Sequence, residues 1–224
     1  MSFLFATVGT SSLKNALVGT VGGRDNSVLR KEAGNYLRDP EKSPERWTAL
    51  RDHLIEAHEA YWDMPQEYAA NPANYYQTSA ELISTFQMFA LLAARHPGRT
   101  IRRIVLLASA TPEGRFAAEV VLGVMQSPKY HIPLSKDHIG IHPIPGLDKQ
   151  FVDLSEVVPA MVREYRPDPS QGLVHFNVTG GFKGTAVVIG MLAAEHGYAL
   201  FYQHESLHIP IFINPKGRMS PRPE

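Results

Sequence analysis

The chain has 224 residues, 44% hydrophobic and 20% charged, the proportions of an ordinary globular protein. Its 22 basic residues balance 22 acidic ones, so no global positive field exists for a long nucleic-acid duplex, and an anionic ligand must be held by a local site. The lack of cysteine excludes disulfides, thiolate metal sites and a cysteine nucleophile.

Phe3 to Val8 is a short apolar run closed by Gly9-Thr10-Ser11-Ser12, which predicts a buried parallel strand running into a phosphate-sized loop. The run lacks the basic flank and small-residue cleavage site of a signal peptide. No apolar stretch reaches the roughly 20 residues of a membrane helix. A cytoplasmic location is expected. Ser11 or Ser12 is a suitable cap for a helix over Leu13 to Val18. From 19 to 44 the composition turns to Gly, Arg, Asp, Asn and Lys, which predicts a variable, partner-contacting segment.

Ser43-Pro44 opens a helix to Tyr61, with Trp47, Leu50, Leu54 and Tyr61 at helical spacing. Arg51 and His58 on this helix are spaced like the Arg and His of some RNA-cutting helical domains, but no separate effector domain follows, and a structural helix is expected. A second helix spans about Thr78 to Arg95, its apolar face being Leu82, Ile83, Phe86, Phe89, Ala90 and Ala93, and His96-Pro97-Gly98 stops it.

Ile101 to Ala108 is a second buried strand, followed by the polar loop Ser109 to Arg115 and a helix from Phe116 to Met125. His138 to Ile144 reads as a strand and Asp153 to Tyr165 as a helix. Leu173 begins another apolar run, which ends in Thr179-Gly180-Gly181 and leads through Phe182 and Lys183 into a helix from Gly184 to His196. Glycines in such a turn permit positive φ and close approach of a ligand, and the helix start offers unpaired N–H groups to an anion. Ala199 to Tyr202 reads as a strand, Leu207 to Ile213 as an edge strand, and 214–224 as a loose tail.

Strands alternating with helices predict an α/β fold, a mostly parallel sheet with helices on both faces. Gly9 to Ser12, Ser109 to Arg115 and Val178 to Lys183 all fall at carboxyl ends of strands, where such sheets bind ligands. Backbone N–H groups at Gly9 to Ser12 and Thr179 to Lys183 suit phosphate oxygens, and Lys183 and Arg115 suit their charge. Phe182 reads equally as packing. The glycine fingerprint of dinucleotide sites, the nucleotide P-loop and the hydrolase nucleophile elbow are all missing. His204, Glu205 and His208 do not form a metal-binding pattern, and no metal or cofactor is expected.

Four ordered motifs carry a resemblance: Val8-Gly9-Thr10-Ser11, Ser109-Ala110-Thr111-Pro112-Glu113-Gly114-Arg115, Asn177-Val178-Thr179-Gly180-Gly181-Phe182-Lys183 and Tyr202-Gln203-His204-Glu205. Together they resemble the CRISPR-associated Rossmann fold (CARF) family, and within it the stand-alone ring nucleases. One departure is Ala110, where many relatives carry an acidic residue. The resemblance implies a single Rossmann-like CARF domain over 1–213, including the segment 19–44 and the helices to about 95. It also implies a homodimer that binds cyclic oligoadenylate, above all the tetra-adenylate, on its two-fold axis. It further implies metal-independent cleavage, in which a ribose 2′-OH attacks the adjacent phosphate and CRISPR signalling is switched off. Ser11 and Lys183 then map to catalysis, Ser11 orienting the 2′-OH or phosphate and Lys183 stabilising developing charge. Gly9, Thr10, Ser12, Thr111, Glu113, Arg115, Thr179, Gly180, Gly181 and Phe182 map to ligand contact. A CARF sensor that holds the ring uncut and signals to a partner protein is the alternative.

Overall fold

The computed structural model describes residues 2–10, 31, 34–35, 44–62, 79–95, 100–130, 132, 134–147, 153–181, 183–203, 210–214 and 219–220. The expected helix over Leu13 to Val18, nearly all of the segment 19–44, and His204, Glu205 and His208 lie outside these residues.

The elements run in the order β1 (Ser2–Thr7), α1 (Pro44–Trp62), α2 (Ala80–Arg95), β2 (Ile101–Ser109), α3 (Pro112–Met125), β3 (Ile139–Ile144), α4 (Leu154–Tyr165), β4 (Leu173–Asn177), α5 (Lys183–Glu195), β5 (Ala199–Gln203), β6 (Pro210–Ile213) and β7 (Met219–Ser220). One seven-stranded sheet results, in the order β3-β2-β1-β4-β5-β6-β7. Strands β1 to β5 pair in parallel, while β6 and β7 add antiparallel. The Rossmann-like expectation therefore holds.

Burial follows the strand period of two. Leu4 and Ala6 of β1 join Ile104 and Leu106 of β2 under α2 and α3. Phe3 and Phe5 join Val105, Leu107 and Phe176 under α4 and α5, with the Phe5 and Phe176 rings stacked at 5.2 Å between centroids. Because helices cover both faces, β1 is buried along its whole length, which is why its sequence reads as an unbroken apolar run. Helix α1 forms a further layer: Trp47, Leu50 and Leu54 pack on Phe116 and Val120 of α3.

Two expectations fail at the sheet margin and one inside the core. Strand β6 is not the edge, because Met219 and Ser220 of the supposed loose tail pair with Ile213 and Phe212. In α2 the buried side carries polar as well as apolar residues, and part of the expected apolar face is exposed. Glu81, Ser84 and Thr85 are buried together with Leu82, Ile83 and Met88, while Phe86 and Ala90 face out. Hydrogen bonds to the loop after β1 and to β4 explain the buried polar groups, which enter a core when they find partners there.

The chain order sets the position of the site. From β1 the chain moves outward through β2 and β3, then returns to lay β4 on the other side of β1. The strand order reverses between β1 and β4, and the loops leaving those strands open the crevice where such sheets bind ligands.

Candidate functional site

Gly9, at the end of β1, and Gly180-Gly181, after β4, meet across that crevice. A Cβ on Gly9 would lie 2.7 Å from the Gly181 nitrogen, so only glycine allows the two loops this approach. Gly181 has φ of 89°, a left-handed conformation that a side chain disfavours. The buried Thr7 hydroxyl donates to the Gly180 carbonyl at 2.5 Å and lies 3.3 Å from that of Asn177, stitching the loops together beneath the glycines.

A third element enters here, unread in the sequence. The Glu81 side chain, on the first turn of α2 and 1% exposed, accepts a hydrogen bond from the Gly9 amide at 2.7 Å. A Cβ on Gly180 would lie 2.4 Å from the same carboxylate oxygen. The glycines of both loops thus enclose a carboxylate of the protein itself.

Asn177 anchors the arrangement. Its amide group donates to Ser84 Oγ at 2.8 Å and Thr85 Oγ1 at 3.1 Å, while its side-chain oxygen accepts from the Thr179 amide at 3.1 Å. The Thr179 hydroxyl in turn accepts from the Gln203 amide at 3.0 Å, tying the loop to the end of β5. The Gly9 and Thr179 amides are therefore already engaged within the protein, which corrects the expectation that these two groups are free for phosphate oxygens. Gln203 is buried, and its side-chain oxygen has no hydrogen-bond partner among the described residues.

The loop after β2 lies on the far side of β1 and is organised by its own cap. Thr111 Oγ1 accepts from the Gly114 amide at 3.2 Å and contacts Ser109 Oγ at 2.8 Å. Pro112 sits at the helix start, where its missing N–H costs nothing. A Cβ on Gly114 would collide with Ser109 Oγ at 2.0 Å, so this glycine serves packing. Arg115 projects exposed from the first turn of α3, and Glu113 is half-buried beside it in sequence.

Of the expected site residues, Gly9, Gly180 and Gly181 are brought together, Thr179 lies beneath them, and Thr10 follows Gly9 half-buried. Lys183 is exposed at the first position of α5, the end to which a helix attracts anions. Ser11, Ser12 and Phe182 lie outside the described residues. Glu81, Asn177 and Gln203 were not among the expected site residues. Asn177 and Gln203 belong to the quoted motifs, whereas Glu81 has no signal beyond an acidic residue in a helix's first turn.

Among the described residues there is no cluster of three or more His, Asp or Glu able to hold a metal ion. No described helix is long and apolar enough to cross a membrane. The Arg51–His58 pair of α1 is structural. Arg51 bonds Asp52 at 3.0 Å and approaches Glu119 at 3.7 Å, while His58 is fully buried and desolvation lowers its pKa to about 4.

A search for similar curated proteins gives no match. The family model described as CRISPR-associated protein (Cas_APE2256) matches residues 76–215, a span that takes in Glu81, all of β2 to β6 and the loops after β2 and β4. With more than half of its length matched and the α/β sheet described above, the chain belongs to the CRISPR-associated protein family Cas_APE2256.

Proposed function

We infer that this protein is a metal-independent ring nuclease that binds cyclic oligoadenylate, most readily the tetra-adenylate, and cleaves it. The observation carrying the reading is the convergence of the β1 and β4 loops at the point where strand order reverses, with Lys183 on the adjoining helix start. That edge offers a cation and a helix terminus to phosphates without a nucleotide P-loop.

Cleavage by this route is an isomerisation. The ribose 2′-oxygen forms a bond to the adjacent phosphorus and gives up its proton, and the 5′-oxygen leaves and takes one up. The products are a 2′,3′-cyclic phosphate and a 5′-hydroxyl, with no water consumed. Ser11 orients the 2′-OH or the phosphate, and Lys183 neutralises charge that builds on the phosphoryl oxygens. Orientation and electrostatics without a strong base give slow turnover.

A two-fold dimer supplies the symmetric cradle that a ring needs. Lys183, Val187 and Met191 follow one another at four-residue spacing along one stripe of α5. Val187 is 64% and Met191 69% exposed, unusual for large apolar side chains. A second copy covering that stripe brings the two Lys183 residues toward the same axis.

The test is incubation of the protein with labelled cyclic tetra-adenylate in chelator, with cyclic hexa-adenylate alongside. Linear products are expected from the wild type. Lys183→Ala and Ser11→Ala should each lower the single-turnover rate about 10²–10³-fold while still binding the ring. Tight binding of a ring that stays intact would instead identify a sensor that passes the signal to a partner protein.

A further inference from the structure

We propose that Glu81 is a positioning residue that clamps the β1 loop against the β4 loop. Its catalytic consequence rests on the ring-nuclease reading, while the clamp itself does not.

A carboxylate 1% exposed needs a specific reason to be there, because burying its charge is costly unless bonds replace water. If the space between the loops only had to be filled, an aliphatic side chain would do so more cheaply. What an aliphatic chain cannot do is accept from the Gly9 amide. Glu81 Oε1 does so at 2.7 Å, within the range of charge-assisted bonds, from a helix first turn that favours negative charge. The surroundings are shaped to that carboxylate. Gly180 has no room for a Cβ beside Glu81 Oε1, and a Cβ on Gly9 would stand 3.3 Å from the same atom. Two glycines from loops about 170 residues apart in sequence therefore close on one oxygen.

The clamp bears on both residues assigned to catalysis. Ser11 lies two positions beyond Gly9, and Lys183 three beyond Gly180. Fixing Gly9 against the Gly180 backbone fixes the point from which each segment departs.

A different role would be a plug, a carboxylate occupying a phosphate position until the ligand displaces it. The anchoring of α2 opposes that. Ser79 Oγ accepts from the Leu82 amide at 3.2 Å, Ser84 Oγ donates to the Glu81 carbonyl at 3.3 Å, and Asn177 bonds Ser84 and Thr85. These contacts are buried and fix the Glu81 backbone, so a plug could leave only by rotation of the side chain, which gives up the bond from the Gly9 amide.

Glu81→Gln keeps an acceptor oxygen without charge, and Glu81→Met fills similar volume without an acceptor. Amide exchange of Gly9 in the ligand-free protein and single-turnover cleavage of cyclic tetra-adenylate are measured for both. Glu81→Gln should preserve Gly9 protection and stay within about threefold of the wild-type rate. Glu81→Met should lose the protection and about 10²-fold in rate, with a much smaller change in ring affinity. Undiminished Gly9 protection in Glu81→Met overturns the clamp whatever the substrate. Equal rate losses in both variants overturn it in favour of a role for the charge, and tighter ring binding by Glu81→Met overturns it in favour of the plug. A wild type that leaves the ring uncut refutes the nuclease reading alone, because amide exchange still judges the clamp.

Discussion

His58 makes the stability of this protein sensitive to mild acid. The imidazole sits fully buried on α1, and desolvation lowers its pKa from 6.5 to about 4. It is neutral in the folded state, while in the unfolded chain it protonates below pH 6.5. Between about pH 6.5 and 4 the unfolded state therefore binds the extra proton, so stability falls as pH falls through that window. Each pH unit inside the window costs about 1.4 kcal/mol, so this residue alone removes about 2 kcal/mol between pH 7 and 5, and about 3 kcal/mol by pH 4. Urea unfolding of the wild type and His58→Gln at pH 7, 6 and 5 isolates the effect, because carboxylate titrations are shared by both. The variant should begin less stable at pH 7 and lose about 2 kcal/mol less on going to pH 5. Parallel losses in the two proteins would refute the assignment of a neutral, desolvated imidazole.

Gly180→Ala sets a Cβ against the buried Glu81 carboxylate. It should cost about 1–3 kcal/mol in urea unfolding and release the Gly9 amide to exchange; a loss under about 0.5 kcal/mol would show that the loop yields freely. Met191→Asp places a charge on the exposed stripe of α5 without touching the core. It should leave the melting temperature nearly unchanged while sedimentation shows the proposed dimer giving way to monomer. An unaltered mass would refute the α5 stripe as the two-fold contact.

The architecture was legible because its signals are local. Short apolar runs such as Ile104 to Ala108 read as strands buried on both faces, and Asp153, whose side chain accepts from the Ser155 amide at 3.0 Å, caps α4 where a polar residue precedes a periodic pattern. The glycine-lined edge was legible too, with the positive φ expected of its turn found at Gly181. Glycine tells that something comes close, not what comes close, and here it is the chain's own carboxylate and backbone. Glu81 was hidden because its partner amide lies 72 residues away and no periodicity reports such a contact. The polar buried side of α2 was hidden for the same reason. Ser84 and Thr85 lie outside the expected apolar face, and Asn177, more than 90 residues on, supplies the bonds that bury them.

The central position of β1 has a consequence for synthesis. Its neighbours are β2, beginning at Ile101, and β4, beginning at Leu173. At about 5–20 residues per second, a ribosome leaves this mostly apolar strand without its first partner for roughly 5–20 seconds and without its second for longer. The strand between β2 and β4 in space is thus the one kept waiting in time. The loops at its end meet only after Gly180 has emerged, and closing so long a segment slows folding more than it weakens the folded state. Chaperone dependence during expression should track the apolarity of residues 3–8, the segment that waits longest for a partner strand.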